Sequence, residues 1–258
     1  MRERLGHSDF SAIRWVSDTG STNKDLLGLI DPALPQVLVT DHQRRGRGRR
    51  DRAWDAPPGS GLLFSVMIRP TVRASEAHLV THAMAIAAAE AAGEVSGAPV
   101  ALKWPNDLVV RGAGPGGVDL KCAGILAESR LVGSSIDVLV VGTGINVNFP
   151  MMPAELTDTA TALNLVAGRE IDREELLVLT LRRFAILAAG LESPATVREL
   201  YRRHSATLGQ RVRVQLEARS YEGTALDVSE AGHLMVADDH GSTHEVTVAD
   251  VVHLRPVH

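Results

Sequence analysis

Residues 44–52 hold six arginines, at positions 44, 45, 47, 49, 50 and 52, interrupted by Gly46 and Gly48. Guanidinium groups this dense repel one another and cannot bury a core face, so the stretch alone favours a mobile loop. An anion reverses that balance, because each planar fork binds carboxylate or phosphate oxygens two at a time. The two glycines let the backbone approach such a ligand closely. Composition alone leaves a solvated basic loop and an RNA-binding patch standing beside the anion site. A second group, Lys103-Trp104-Pro105-Asn106-Asp107, places Asn106 and Asp107 where proline stops a strand. Ligands of α/β sheets bind at strand ends, and an aspartate there can hold Mg²⁺ or a ribose hydroxyl; an Asx turn is the plain alternative. Lys121, three residues before Gly124, can set a point charge against an anionic substrate. Gly142-Thr143-Gly144-Ile145-Asn146-Val147 follows an apolar run and fits either a bulge or a close backbone approach.

Other chemistries lack their residues. The pattern G-x-x-x-x-G-K-[ST] is absent, so a nucleotide would be held otherwise than by a P-loop. His78 and His82 are spaced i,i+4, but Leu79 stands where H-E-x-x-H requires glutamate and no third ligand is evident. No G-x-S-x-G elbow occurs. The single cysteine, Cys122, sits in an apolar run and reads as a packed thiol; alone, it excludes an intramolecular disulfide and suits a reducing compartment. With 27 Lys and Arg against 31 Asp and Glu, net charge −4 gives no general pull towards nucleic acid, and 3% aromatics make a poor stacking platform. No apolar run reaches 18 residues and the first 15 lack a signal-peptide core, so a cytoplasmic location is expected.

A length of 258 residues with 45% hydrophobic content suits a large domain with a small one attached. From Trp15 to Val147 strands and helices alternate. Ser21-Thr22-Asn23 supplies capping residues for a helix over 24–30. Strands are expected at 37–40, 62–68, 100–104, 108–110, 125–127 and 136–141. Ser75 is placed to open an Ala-rich helix closing at Gly93, and 111–117 reads as an irregular hairpin loop. Asp172 caps a helix running to about 191 with Glu175 in capping-box position, and Ser193-Pro194 opens another ending near His204. After Thr207 the character changes: Val212, Val214 and Leu216 alternate with polar residues, strands follow at 234–236 and 245–248, and turns are signalled at Glu222-Gly223, Ala231-Gly232 and His240-Gly241. Short strands over about 50 residues fit a small barrel. The expected division is 1–206 and 207–258.

Taken in order, these segments resemble the biotin protein ligases. The matching signature is Ser21-Thr22-Asn23, then Gln43 with Gly46-Arg47-Gly48-Arg49-Arg50, Arg52 and Trp54, then Lys103-Trp104-Pro105-Asn106-Asp107, Lys121 with Ala123-Gly124-Ile125-Leu126, and finally residues 142–147. The resemblance implies an α/β (α+β) fold, a mixed-sheet catalytic domain of class II synthetase type followed by an SH3-like barrel. It implies that biotin carboxylate attacks the α-phosphate of ATP to give biotinoyl-5′-AMP, and that a carrier-domain lysine then takes the biotinoyl group. Lys121, Arg47, Arg49 and Asp107 become the catalytic set. Biotin would be held by Ser21, Thr22, Asn23, Gln43, Gly46, Arg47, Gly48, Arg49, Lys121, Gly124, Leu126 and Gly142. ATP falls to Arg49, Arg50, Arg52, Trp54, Asn106, Asp107 and Asn146, with Trp54 closing over adenine and Asp107 near Mg²⁺. Residues 44–52 are expected to order only with the adenylate.

Departures from the family pattern are Arg45, Asp51, Cys122 and the Gly-rich loop 111–117. The implied partner is the biotin carboxyl carrier domain of acyl-CoA carboxylases. Only about 14 residues precede the first strand, too few for an N-terminal winged helix-turn-helix, so DNA binding by that route is not expected. A weak homodimer through an edge strand stays open. The rival readings are a lipoyl or octanoyl ligase, which shares the fold, and a non-enzymatic RNA-binding protein.

Overall fold

The computed structural model describes residues 10, 12–30, 33, 35–133, 135–216, 220–247 and 253–256. Seven strands form the larger sheet: β1 (Ala12–Val16), β2 (Gln36–Thr40), β3 (Gly61–Ile68), β4 (Val100–Lys103), β5 (Asp107–Val110), β6 (Leu120–Val132) and β7 (Ser135–Asn146). Their order is β1-β2-β3-β7-β6-β5-β4, with only β1 and β2 parallel. Five more strands, β8 (Arg211–Gln215), β9 (Ser220–Val228), β10 (Leu234–Asp238), β11 (Thr243–Val246) and β12 (His253–Pro256), form a separate antiparallel sheet ordered β11-β10-β9-β8-β12. The expected mixed α/β sheet with a small β unit behind it is what folds.

Among the described residues there are five α-helices: α1 (Thr22–Leu27), α2 (His78–Ser96), α3 (Leu163–Ala167), α4 (Arg173–Ala189) and α5 (Pro194–His204). Helix α2 packs against the sheet on one side and against α4 and α5 on the other. Its alanines are buried right round the helix, because short side chains let three neighbours approach at once. Asp172 caps α4 through Glu174 N and Glu175 N, as its position predicts.

Several boundaries differ from expectation. Helix α1 begins at Thr22, not residue 24, and Ser21 makes no side-chain cap. Helix α2 runs past Gly93 to a left-handed Gly97 (φ 72°), and Ser75 lies in a preceding 3₁₀ turn. Gly142 to Asn146 belong to β7 itself instead of following it. Burial on both faces explains the error, since a glycine-bearing buried strand has no alternation to read. Glu222-Gly223 is no turn: Gly223 lies inside β9, opposite Val212 and Asp238. Residues 217–219 and 248 lie outside the described set.

The small sheet grips the large one at β4. Ala206 N donates to Leu102 O (2.7 Å) and Trp104 N to Thr207 Oγ1 (3.0 Å). Trp104, 1% exposed, donates Nε1 to Gly232 O (3.2 Å). Beside it His78 and His82 stack edge-on, 5.3 Å between ring centres, and His82 lies on Tyr201 at 4.0 Å. They are packed histidines. Burial brings the His82 pKa down to about 3.

Candidate active site

A cleft of ≈ 440 Å³ opens where α1, the arginine-rich segment, the turn after β4 and strands β6 and β7 meet. A bulge builds one wall. In β6, Lys121 pairs with Val109 and Ala123 with Leu108, leaving Cys122 as the extra residue. Cys122 and Ala123 are both fully buried, while Lys121 and Gly124 face the cleft together. Burial pushes the Cys122 thiol up to about 12, so it is inert packing.

Lys121 Nζ pairs with Asp107 Oδ1 at 2.6 Å and stands 5.3 Å from the Trp54 ring centre. Arg49 Nη1 approaches Asn106 Oδ1 at 3.5 Å, and Asn106 Nδ2 donates to Ile125 O. Burial lowers the Arg49 pKa, Asp107 opposing and Arg50 and Arg52 adding. This end of the cleft is crowded with charge.

Five to seven residues further along β6, at Leu126 and Glu128, the chemistry changes. Gln43 Oε1 accepts from Thr22 N (2.9 Å) and Thr22 Oγ1 (3.1 Å). Ser65 Oγ lies 2.6 Å from both Thr22 Oγ1 and Asn23 Oδ1. Asn23 Nδ2 donates to Leu126 O (3.1 Å) and Glu128 Oε2 (2.8 Å). Arg47 Nη2 closes the chain on Glu128, at 2.7 and 3.0 Å. Between the ends, the Trp54 ring lies over Gly124 and Gly144; a Cβ on Gly144 would come within 2.7 Å of that ring. A Cβ on Gly142 would overlap Asn23 Oδ1.

Ser21, Thr22, Asn23, Gln43, Arg47, Gly48, Arg49, Arg50, Arg52, Trp54, Asn106, Asp107, Lys121, Gly124, Leu126 and Gly142 all line the cleft. Gly46 and Asn146 do not. Gly46 is buried beneath Trp54, whose N donates to Gly46 O (3.0 Å). Asn146 donates to Thr161 O (3.1 Å), and Thr161 N in turn donates to Lys121 O (2.8 Å). Asn146 therefore braces the segment that holds Lys121.

Sequence reasoning missed Ser65 and Glu128. Each was signalled weakly: a lone hydroxyl in an apolar strand, and a carboxylate in phase with Gly124 and Leu126. The arginine-rich segment has partners within the chain. Thr19 bridges Gln43, Arg47 bridges Ala53, and Asp18 pairs with Arg44 (2.9 Å) while Glu128 takes Arg47. These acids offset part of the charge crowded into the segment. Among the described residues no three metal-ligating side chains cluster, and Asp107 is engaged by Lys121. These residues do not make a resident metal centre.

The Biotin/lipoate A/B protein ligase family model matches residues 12–146, just over half the chain. The chain belongs to this family. Its terminal part, residues 207–254, matches the model described as Biotin protein ligase C terminal domain. Among relatives, the biotin–[acetyl-CoA-carboxylase] ligase of Mycobacterium tuberculosis is 34% identical over 250 residues, 93% of this chain and 88% of that protein. The bifunctional ligase/repressor BirA of Bacillus subtilis is 28% identical over 229 residues, 86% of this chain and 68% of that one. Among solved structures, the biotin protein ligase of Aquifex aeolicus in complex with biotin and ATP superposes with a TM-score of 0.81 at 28% identity, covering 96% of this chain and all of that chain. No described helix is long and apolar enough to cross a membrane.

Proposed function

We propose that this chain is a biotin protein ligase that joins biotin to a lysine of a biotin carboxyl carrier domain at the expense of ATP. The carrying observation is the two-ended cleft. One end is lined by Lys121, Arg49 and Asp107, the other by a chain of hydrogen-bonded neutral side chains closed by the Arg47–Glu128 pair, and a tryptophan on glycines lies between. Biotin has the same plan, a neutral ureido ring joined by an apolar tail to a carboxylate.

In the first step a biotin carboxylate oxygen bonds to the α-phosphorus of ATP and the bond to pyrophosphate breaks. Two anions must meet, so the barrier is largely electrostatic. Lys121 and Arg49 supply the positive charge. Arg50 and Arg52 face the phosphate tail, and Trp54 and Asn106 bound the nucleotide. In the second step a lysine amine attacks the acyl carbon, the bond to AMP breaks, and the ammonium proton leaves to water or to Asp107. Mg²⁺ would enter with ATP as part of the substrate, near Asp107, and would neutralise the leaving pyrophosphate. Ser21, Thr22, Asn23 and Gln43 orient the ring, while Gly124, Leu126 and Gly142 leave it room.

The division at 206/207 gives a catalytic unit and a terminal barrel, working in the cytoplasm. A weak homodimer would use the β1 edge, since Ser205 already bridges Leu102 on β4. The test is biotin-dependent exchange of labelled pyrophosphate into ATP, with lipoate and octanoate as competing acids. Exchange with biotin alone is the expected result. Exchange with lipoate or octanoate moves the chain to the sister ligases, and none with any acid overturns the reading.

A further inference from the structure

We infer that Glu128 is the positioning residue of the ring end, and that Arg47 serves there as an orienting donor while Lys121 and Arg49 receive the acid. This deepens the ligase reading and rests on it. Glu128 is the anion in a chain that otherwise consists of neutral donors and acceptors plus Arg47. Its two oxygens take Arg47 Nη2 and Asn23 Nδ2 at once. With that carboxylate in bidentate reach, the charge of Arg47 is already balanced, so a second carboxylate gains little from it. The geometry instead leaves Arg47 Nε buried, with no hydrogen-bond partner among the described residues, on a side chain that lines the cleft. A buried donor without a partner costs free energy that a ligand oxygen repays.

The consequences are asymmetric. Asn23 Oδ1 is fixed by Ser65 and its Nδ2 by Glu128 and Leu126 O, so removing the Glu128 charge loosens Asn23 and releases Arg47, two cleft-lining side chains, together. Nothing at Lys121 or Asp107 depends on Glu128, because their ion pair forms on the far side of Gly124.

The test is steady-state pyrophosphate exchange, titrated separately with biotin and with ATP, in wild type, Glu128→Gln and Glu128→Asp, with thermal unfolding run beside it. Glu128→Gln should raise KM for biotin about 10- to 100-fold, the range of one charge-assisted hydrogen bond. Its kcat and KM for ATP should stay within about threefold, and Glu128→Asp should recover part of the loss. Arg47→Gln combined with Glu128→Gln should cost less than the two separate losses multiplied together, because the pair acts as a unit. Overturning results are an unchanged KM for biotin, an equal rise in both KM values accompanied by a fall in Tm, or fully multiplicative losses in the double variant. If the wild type exchanges with no acid, the ligase reading itself fails, and the inference with it, before any variant is compared.

Discussion

At one end of the cleft Gln43, Thr22, Ser65, Asn23, Glu128 and Arg47 are joined by hydrogen bonds of 2.6–3.1 Å. At the other, Lys121 and Asp107 form an ion pair beside a half-buried Arg49. The first end grows from helix α1, strands β3 and β6 and the segment that follows β2. The second is assembled from a turn, a bulge and a loop, and it gathers Lys121 and Arg49 around Asp107 and Asn106. A rigid donor array selects shape and pays little reorganisation on binding. Concentrated charge in a partly dry site stabilises developing negative charge. Recognition and reaction thus occupy different stretches of β6.

Perturbing each end separately sharpens this division. The largest effect is expected from Lys121→Gln, which removes the cation nearest Asp107. Adenylate formation should slow about 100- to 1,000-fold, seen as a loss of exchange rate at saturating biotin. Gly142→Ala comes next: its Cβ would overlap Asn23 Oδ1, and overpacking of about 1–3 kcal/mol should weaken biotin binding about 5- to 100-fold by calorimetry. Asn146→Ala acts on the reacting end through Thr161 and Lys121. One lost hydrogen bond, about 1 kcal/mol, should lower kcat about fivefold while leaving biotin affinity in place.

The smallest effect lies away from both ends. His82 is neutral in the fold with a pKa near about 3, whereas the unfolded chain binds its proton at about 6.5. Its contribution to stability is complete above pH 6.5 and shrinks as the pH falls towards 3. Between pH 7.5 and 5.5 the loss is about 1.4 kcal/mol, or about 3–5 °C in Tm. His82→Phe should flatten that slope, as read by unfolding scans at both pH values. An undiminished slope would place the acid sensitivity elsewhere.

Much of the reacting end was legible in the sequence, because its residues are rare types at fixed spacing: arginines between glycines, and a proline stopping a strand before Asn106-Asp107. The ring end was only half visible. Ser21, Thr22, Asn23 and Gln43 were marked, yet Ser65 and Glu128 sit in strands whose neighbours are plain core residues. Which face Lys121 takes was not readable at all, since it depends on Cys122 being the extra residue against β5. A bulge is decided by the partner strand, and one sequence shows only its own side. The resemblance set Asn146 beside the nucleotide; in the fold it continues the face of Gly142 and Gly144 along β7, but its side chain reaches Thr161 O. The Glu222-Gly223 turn failed because a glycine in a strand marks close approach, here of Ala237, as readily as a turn.

The most direct test of the two-ended cleft is one biotin titration of pyrophosphate exchange, run on Lys121→Gln and Glu128→Gln side by side. Lys121→Gln should lose kcat at near wild-type KM for biotin, and Glu128→Gln should lose KM at near wild-type kcat. Losses in the same parameter for both variants would contradict the separation of recognition from reaction.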